Sequence, residues 1–287
     1  MSFSLDASAC HNLLRSFLAE DIGAGDITTD TIVPAAQRAR GDVIAKAPLV
    51  LAGIDLFAEV FRLLDQSTEA EISRHDGEEL DTGQIPARLR ASARALLTGE
   101  RVALNLLQRL SGVATLTRRF VRAISGTRAQ ILDTRKTTPG LRALEKYAVL
   151  VGGGHNHRKD LSEAVLIKEN HIRLAGSVPA ALQAAQTLKG RAKWIEIEVT
   201  NLDELRAALA HSPDVILLDN MNPAMVRDAV EQVRIYDPAR KIRTEASGGI
   251  TLANVREFAE AGVDWISVGA LTHSAPGVDL SFEIEPA

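Results

Sequence analysis

Between Asp133 and Arg173 the chain carries eight Lys or Arg (135, 136, 142, 146, 158, 159, 168 and 173) against five acids (133, 145, 160, 163 and 169). The whole protein has 33 basic and 37 acidic side chains and a formal net charge of -4, so everything outside this stretch is acidic on balance. Three of the seven histidines, His155, His157 and His171, fall in the same stretch. A basic concentration in an acidic protein suits a small polyanion, because a cleft of one sign focuses the field while the exterior repels large anions. A solvated helix face is the plainer reading, and it suits Arg142, Lys146 and Lys159. It suits Arg135, Lys136 and Lys168 poorly, because these follow strand-like runs and precede turn residues.

Two further groupings have chemical content. The run Gly152-Gly153-Gly154-His155-Asn156-His157-Arg158 lets the backbone approach a ligand closely or take positive φ, unless it is merely a flexible loop. Its His-x-His pair is a weak zinc signal, since no Cys or Glu stands nearby at partner spacing. Glu196 and Glu198, two apart, share one face of a strand, and Asp219 ends the next run. Carboxylates on two adjacent strand ends, Glu198 and Asp219, are a cradle for magnesium, which is often held by one or two carboxylates plus substrate phosphates. Equally, these acids can simply balance Lys168 and Arg158 in a salt network.

Six short apolar runs carry these groups: 130–133, 164–167, 194–199, 214–218, 242–246 and 264–268. Helical segments such as 201–210 and 251–261 separate them, and strands alternating with helices imply a parallel sheet. Most runs end in reactive side chains: Asp133, Arg135 and Lys136, then Lys168, Glu198, Asp219 with Asn220, Glu245 with Ser247, and Gly269. A ring of such residues at strand C-termini is where a βα barrel keeps its active site. The last two runs lead into Ser247-Gly248-Gly249 and Gly269-Ala270, the glycine turns that form a barrel phosphate site. Six runs are fewer than eight, so the expected barrel is open.

Before residue 112 the pattern differs. Residues 55–64 have helical spacing, 42–52 and 69–75 read as strands, and Gly77 and Gly83 bracket an acidic turn region. Apolar periodicity from Gly99 to Ile124 predicts one long helix, or two joined near Gly112. The expected division is a mixed α/β domain over 1–112 and an α/β barrel over 113–272. The tail 273–287, with its alternating 278–285, returns to the first domain. Met1 to Asp21 reads as an amphipathic helix rather than a signal peptide. No apolar run approaches the roughly 20 residues that span a bilayer. The single cysteine, Cys10, rules out an intrachain disulfide and a cysteine zinc site, and the expected compartment is the cytoplasm. Negative charge and 4% aromatic content argue against nucleic acid.

Nine ordered blocks together resemble the quinolinate phosphoribosyltransferase family, the carboxylating nicotinate-nucleotide pyrophosphorylases. They are EDIGAGDITTD (20–30), ERVALNLLQRLSGVAT (100–115), DTRKTTPGLRALEKYAV (133–149), GGGHNHR (152–158), LIKENHI (166–172), IEIEV (195–199), LLDN (217–220), EASGGI (245–250) and VGALTHS (268–274). The resemblance implies a mixed α/β N-terminal domain and an open α/β barrel, in a homodimer or larger assembly with shared active sites. It implies conversion of quinolinate and phosphoribosyl pyrophosphate to nicotinate mononucleotide, pyrophosphate and carbon dioxide, in NAD biosynthesis, with Mg2+. Arg135, His157, Arg158 and Lys168 would bind quinolinate with Lys136 beside them, and Arg101 would reach in from the partner. Glu198 and Asp219 would hold the ribose and magnesium of phosphoribosyl pyrophosphate; Ser247, Gly248, Gly249 and Gly269 would hold its 5′-phosphate. The catalytic set is Lys136, Lys168, Glu198 and Asp219.

Three rivals share these residues. One is a paralogue associated with molybdenum transport, which the complete NHR and LIKENH blocks disfavour. A second is a sugar-phosphate aldolase or isomerase with Lys168 as Schiff base. The third is a non-catalytic metabolite-binding protein on the same fold.

Overall fold

A computed structural model of the protein describes residues 7–287, so the first six residues of the expected opening helix lie outside the described residues. In chain order the N-terminal elements are α1 (Ala7–Ile22), α2 (Ile27–Ile32), β1 (Arg38–Ala45), β2 (Leu49–Val50), α3 (Ile54–Leu64), β3 (Glu69–Ile72), β4 (Glu79–Leu80), β5 (Ala87–Ser92) and α4 (Ala93–Ala123). There follow β6 (Gln130–Leu132), α5 (Arg142–Val151), β7 (Val165–Ile167), α6 (Glu169–Ala175), α7 (Val178–Gln186), β8 (Ile195–Val199) and α8 (Leu202–Leu209). The chain ends with β9 (Val215–Asp219), α9 (Pro223–Tyr236), β10 (Arg243–Ser247), α10 (Val255–Glu260), β11 (Trp265–Ser267), α11 (Ala270–His273) and β12 (Leu280–Pro286).

The chain divides into two compact units. One comprises the stretch ending at Arg118 together with Ala143–Gly153 and Ala275–Ala287; the other comprises Arg119–Arg142 and Gly154–Ser274. The first contains a four-stranded antiparallel sheet in the order β12-β1-β5-β3. Alternating burial along β1 gives the sheet one face for a core. On α3, Phe57 and Phe61 lie one helical turn apart with ring centroids at 5.1 Å, and both meet Phe282 of β12, at 5.5 and 5.3 Å. Each such aromatic pair adds roughly 0.5–1.5 kcal/mol beyond its buried area. The alternating tail thus forms a strand as expected, and its register with β1 is fixed by pairs such as Val43 with Phe282.

The helix α4 runs unbroken for 31 residues, so Gly112 is not a joint. A Cβ there would lie 2.1 Å from the Pro276 carbonyl oxygen, and glycine is what allows the returning tail to touch the helix. Lys146 is not on a solvated face: it is 1% exposed, in a run of three buried residues, Leu144, Glu145 and Lys146, on α5. The buried Glu145 carboxylate accepts hydrogen bonds from Arg109 Nη2 at 2.7 Å and Nε at 3.1 Å. Lys159, by contrast, is exposed as expected, and Arg142 is partly covered and donates to Thr137 Oγ1.

The second unit is built on six strands, one for each apolar run, all parallel in the order β6-β11-β10-β9-β8-β7. The first strand lies beside the last, as in a barrel, but among the described residues no ladder joins β6 to β7. The free edge of β6 takes a single parallel bridge, Leu132 to His155. Because all six strands point the same way, the residues at their C-terminal ends meet at one rim.

Candidate active site

Thr134, Arg135 and Lys136 follow β6; Lys168 follows β7; Glu198 lies on β8; Asp219 closes β9; Glu245 and Ser247 lie on β10; Gly269 follows β11. All of them line one cavity of about 720 Å³, as do His157, Arg158, Gly248 and Gly249. Eleven of the twelve site residues expected from sequence are therefore together. The twelfth, Arg101, stands on α4 in the first unit with its side chain 61% exposed; its one ion pair among the described residues is a 3.9 Å contact with Glu100.

The cationic side is held from below. Asp133, fully buried, accepts the His157 backbone N–H at 2.9 Å and Asn156 Nδ2 at 2.6 Å. The glycine-rich segment is thereby pinned beside β6 rather than left as a flexible loop. Arg158 is 6% exposed and donates through Nη1 to the Ala164 carbonyl at 2.9 Å, just before β7, so it helps close the open edge of the sheet. Burial, and then the neighbouring Arg135 charge, lower the Arg158 pKa. A guanidinium remains charged even so. Glu196 and Asp160 act on Arg158 in the opposite sense but less strongly than burial and Arg135, and two crowded cations suit an anionic ligand. Arg135 Nε is buried with no hydrogen-bond acceptor among the described residues.

On the opposite side, Lys168 Nζ donates to Glu198 Oε2 at 2.7 Å. Asp219 is raised in pKa, first by burial and then by the Glu198 charge. Two carboxylates that repel one another across a cavity are a donor set suited to a divalent cation. Asn220, in the left-handed region at φ 54°, donates Nδ2 to Asp219 Oδ2 at 2.6 Å and its backbone N–H to Ser247 O. Gly248, at φ 93°, packs so closely that a Cβ would lie 2.1 Å from Asn220 Oδ1. The Ser247-Gly248-Gly249 turn and the carboxylate pair thus share one support.

Beneath the cations lies a group that sequence spacing did not assign. His157 Nε2 is 3.0 Å from Glu196 Oε2 and 3.5 Å from Glu245 Oε2, with all three residues buried. Burial alone would lower the imidazole, but the hydrogen bonds and charges of the two glutamates outweigh it and push it up to about 10. Burial, and then the Glu196 charge, raise Glu245. The spacing does place Glu196 and Glu198 on one face, but Glu196 is one layer deeper and does not line the cavity. Among the described residues His157, Glu196 and Glu245 are one grouping of metal-ligand type, with ligand atoms within 4.8 Å of one another. The exposed His155 is not part of it. Asn220 lines the cavity as a strand-end residue, and Ser267, Thr251 and His273 line it without having been expected there. Asn220 and His273 lie inside the quoted LLDN and VGALTHS blocks, so a signal was present.

Residues 26–111 match the quinolinate phosphoribosyl transferase N-terminal domain and residues 113–283 its C-terminal domain. The chain is 45% identical to the probable nicotinate-nucleotide pyrophosphorylase (carboxylating) of Bacillus subtilis, over 95% of this chain and 92% of that one. It is 42% identical to the nicotinate-nucleotide pyrophosphorylase (carboxylating) of Mycobacterium leprae, over 96% and 97%. Among solved structures, NadC from Streptococcus pyogenes superposes with a TM-score of 0.93 at 38% identity, covering 100% of both chains. The nicotinate-nucleotide pyrophosphorylase of Francisella tularensis gives 0.91 at 38% identity, covering 99% and 98%. With both halves of the chain matched, in order and nearly end to end, this protein belongs to the quinolinate phosphoribosyl transferase family.

Proposed function

We propose that the protein joins quinolinate to phosphoribosyl pyrophosphate, releasing pyrophosphate and carbon dioxide and leaving nicotinate mononucleotide, in the cavity at the C-terminal rim of the parallel sheet. One observation carries the assignment of the site: the cavity is cationic on the β6–β7 side and anionic at the ends of β8 and β9. Quinolinate has two adjacent carboxylates, and forked guanidinium groups such as those of Arg135 and Arg158 suit them. His157 and Lys168 add charge, with Lys136 at the border of the two halves. Phosphoribosyl pyrophosphate would lie toward Glu198 and Asp219, with its 5′-phosphate on the Ser247-Gly248-Gly249 turn and Gly269.

In that arrangement the pyridine nitrogen donates its lone pair to the anomeric carbon as the bond to pyrophosphate breaks. Positive charge develops on the ribose ring, and the carboxylates of Glu198 and Asp219 stabilise it electrostatically. The ring nitrogen, now alkylated and cationic, stabilises the electron pair left on the adjacent ring carbon when its carboxylate departs as carbon dioxide, and that carbon takes a proton from water to complete the product. No covalent enzyme intermediate is required. Magnesium fits the Glu198 and Asp219 carboxylates, where it would neutralise the diphosphate. Lys168 then turns from Glu198 toward the diacid.

Arg101 would complete the site from a second copy of the chain, in a homodimer or larger assembly. Its exposed side chain and the ERVALNLLQRL block support that reading. Mixing Arg101→Ala and Lys168→Ala chains tests it: recovered activity means a shared site, and no recovery counts against one. No helix among the described residues is long and apolar enough to cross a membrane. A cytoplasmic location is proposed on the single cysteine, Cys10. The Schiff-base alternative is disfavoured because Lys168 is half-exposed and salt-bridged to Glu198, not desolvated among apolar groups. The deciding assay supplies quinolinate and phosphoribosyl pyrophosphate and measures carbon dioxide and pyrophosphate. Equal release of both is expected, and pyrophosphate without carbon dioxide would overturn the assignment.

A further inference from the structure

We infer that Glu196 and Glu245 are positioning residues that hold the His157 ring as an imidazolium at the floor of the cavity, giving it a fixed positive charge for one carboxylate of the diacid. The inference rests on the reading that the cations of this cavity hold quinolinate.

The ring has little freedom. Its Nε2 faces Glu196 on β8 at 3.0 Å and Glu245 on β10 at 3.5 Å, and its backbone N–H is tied to Asp133. Trp194 meets it edge-on, with centroids 5.5 Å apart and planes at 88°. The same Trp194 donates Nε1 to Glu196 Oε2 at 2.9 Å, so the carboxylate that orients the ring is itself oriented. This is the arrangement by which an outer carboxylate fixes a histidine's proton and ring plane. Besides Asp133, which holds the ring's backbone, the cations Arg135 after β6 and Arg158 on the ring's own segment line the same cavity.

Charge balance favours the protonated ring. Among the described residues Glu196 Oε1 and both Glu245 oxygens are buried without hydrogen-bond partners, and the His157 ring is the cationic group that faces both carboxylates. A neutral ring would leave uncompensated carboxylate charge directly beneath a dianionic ligand, where burial makes repulsion costly. The elevated imidazole is consistent with that geometry.

The test uses the whole 287-residue protein and four variants, Glu196→Gln, Glu245→Gln, His157→Gln and the double Glu196→Gln/His157→Gln. Steady-state constants for both substrates are measured from pH ~6 to ~9, across the range where an ordinary histidine loses its proton. In parallel, 15N imidazole shifts are followed through the same range and assigned by the His157→Gln spectrum. The wild type should keep His157 protonated throughout. Glu196→Gln should bring its titration into the range and raise the quinolinate KM at least ~10-fold at pH 8, the loss of one charge-assisted contact. Its penalty should grow with pH while the phosphoribosyl pyrophosphate KM stays within about two-fold. Glu245→Gln should act in the same direction, and adding Glu196→Gln to His157→Gln should have little further effect on the quinolinate KM.

Failure of the clamp and failure of the site assignment look different. If His157→Gln raises the quinolinate KM but neither glutamate variant does, the clamp is wrong and the site stands. If His157→Gln leaves it unchanged, both fall. If Glu196→Gln does not fold, Glu245→Gln and the wild-type titration still decide, and a wild-type His157 that titrates near its ordinary pKa overturns the inference.

Discussion

Replacing Arg158 with Met separates binding from stability more cleanly than any other change in the cavity. Arg158 is almost fully buried, yet its one hydrogen bond among the described residues is to the Ala164 carbonyl, and the Arg135 cation acts on it more strongly than the Glu196 and Asp160 carboxylates do. Folding therefore gains about 1.5–3 kcal/mol from that charged hydrogen bond and loses a comparable amount to desolvation and repulsion. A Met of similar length keeps the packing, so the net change in stability should be below about 1 kcal/mol in either direction. Quinolinate binding has no such cancellation. Losing one guanidinium contact should raise its KM about 10- to 150-fold, with the phosphoribosyl pyrophosphate KM nearly unchanged. Arg109→Met is the control: it leaves Glu145, fully buried, without that cation and should cost about 3–5 kcal/mol. Urea denaturation and steady-state kinetics on both variants provide the comparison. If Arg158→Met lost several kcal/mol of stability while the quinolinate KM stayed within two-fold, Arg158 would be a structural cation and the cavity's cationic side would need another explanation.

Three other predictions follow from named contacts. Gly248→Ala places a Cβ against Asn220 Oδ1 at a φ of 93°, so it should raise the phosphoribosyl pyrophosphate KM and cost about 1–3 kcal/mol of stability, read by kinetics and thermal unfolding. Gly112→Ala should destabilise the fold by about 1–3 kcal/mol in urea titrations, although Ala is the better helix former by about 1 kcal/mol, because its Cβ meets the Pro276 carbonyl. Chelation by EDTA should abolish turnover and added Mg2+ should restore it. Quinolinate binding measured alone by calorimetry should persist in EDTA, since the proposed metal would sit on the Glu198 and Asp219 side.

The six barrel strands were legible because a parallel strand buried on both faces reads as a short apolar run, and each run here ends in polar groups that mark the rim. The open edge was legible too, from the run count, although the bridge from Leu132 to His155 was not. One helix or two joined near Gly112 stayed open because sequence shows a glycine's helix cost but not the carbonyl that requires it. Lys146 looked solvated because a charge on an amphipathic helix usually is, and its burial depends on packing from distant residues. Strand alternation placed Glu196 beside Glu198 but could not give depth: one carboxylate lines the cavity, and the other lies under His157. Glu245 was visible as a strand-end acid, while its tie to His157, 88 residues earlier, is a product of β10 and the β6 edge sharing one sheet.

Charge is divided within a single cavity, and a crystal structure of the enzyme with quinolinate bound would show whether the ligand follows that division. Both carboxylates of the ligand should lie among Arg135, His157, Arg158 and Lys168, with the ring nitrogen directed toward the Glu198 and Asp219 side. Quinolinate found on the Ser247-Gly248-Gly249 turn, or outside this cavity, would contradict the account.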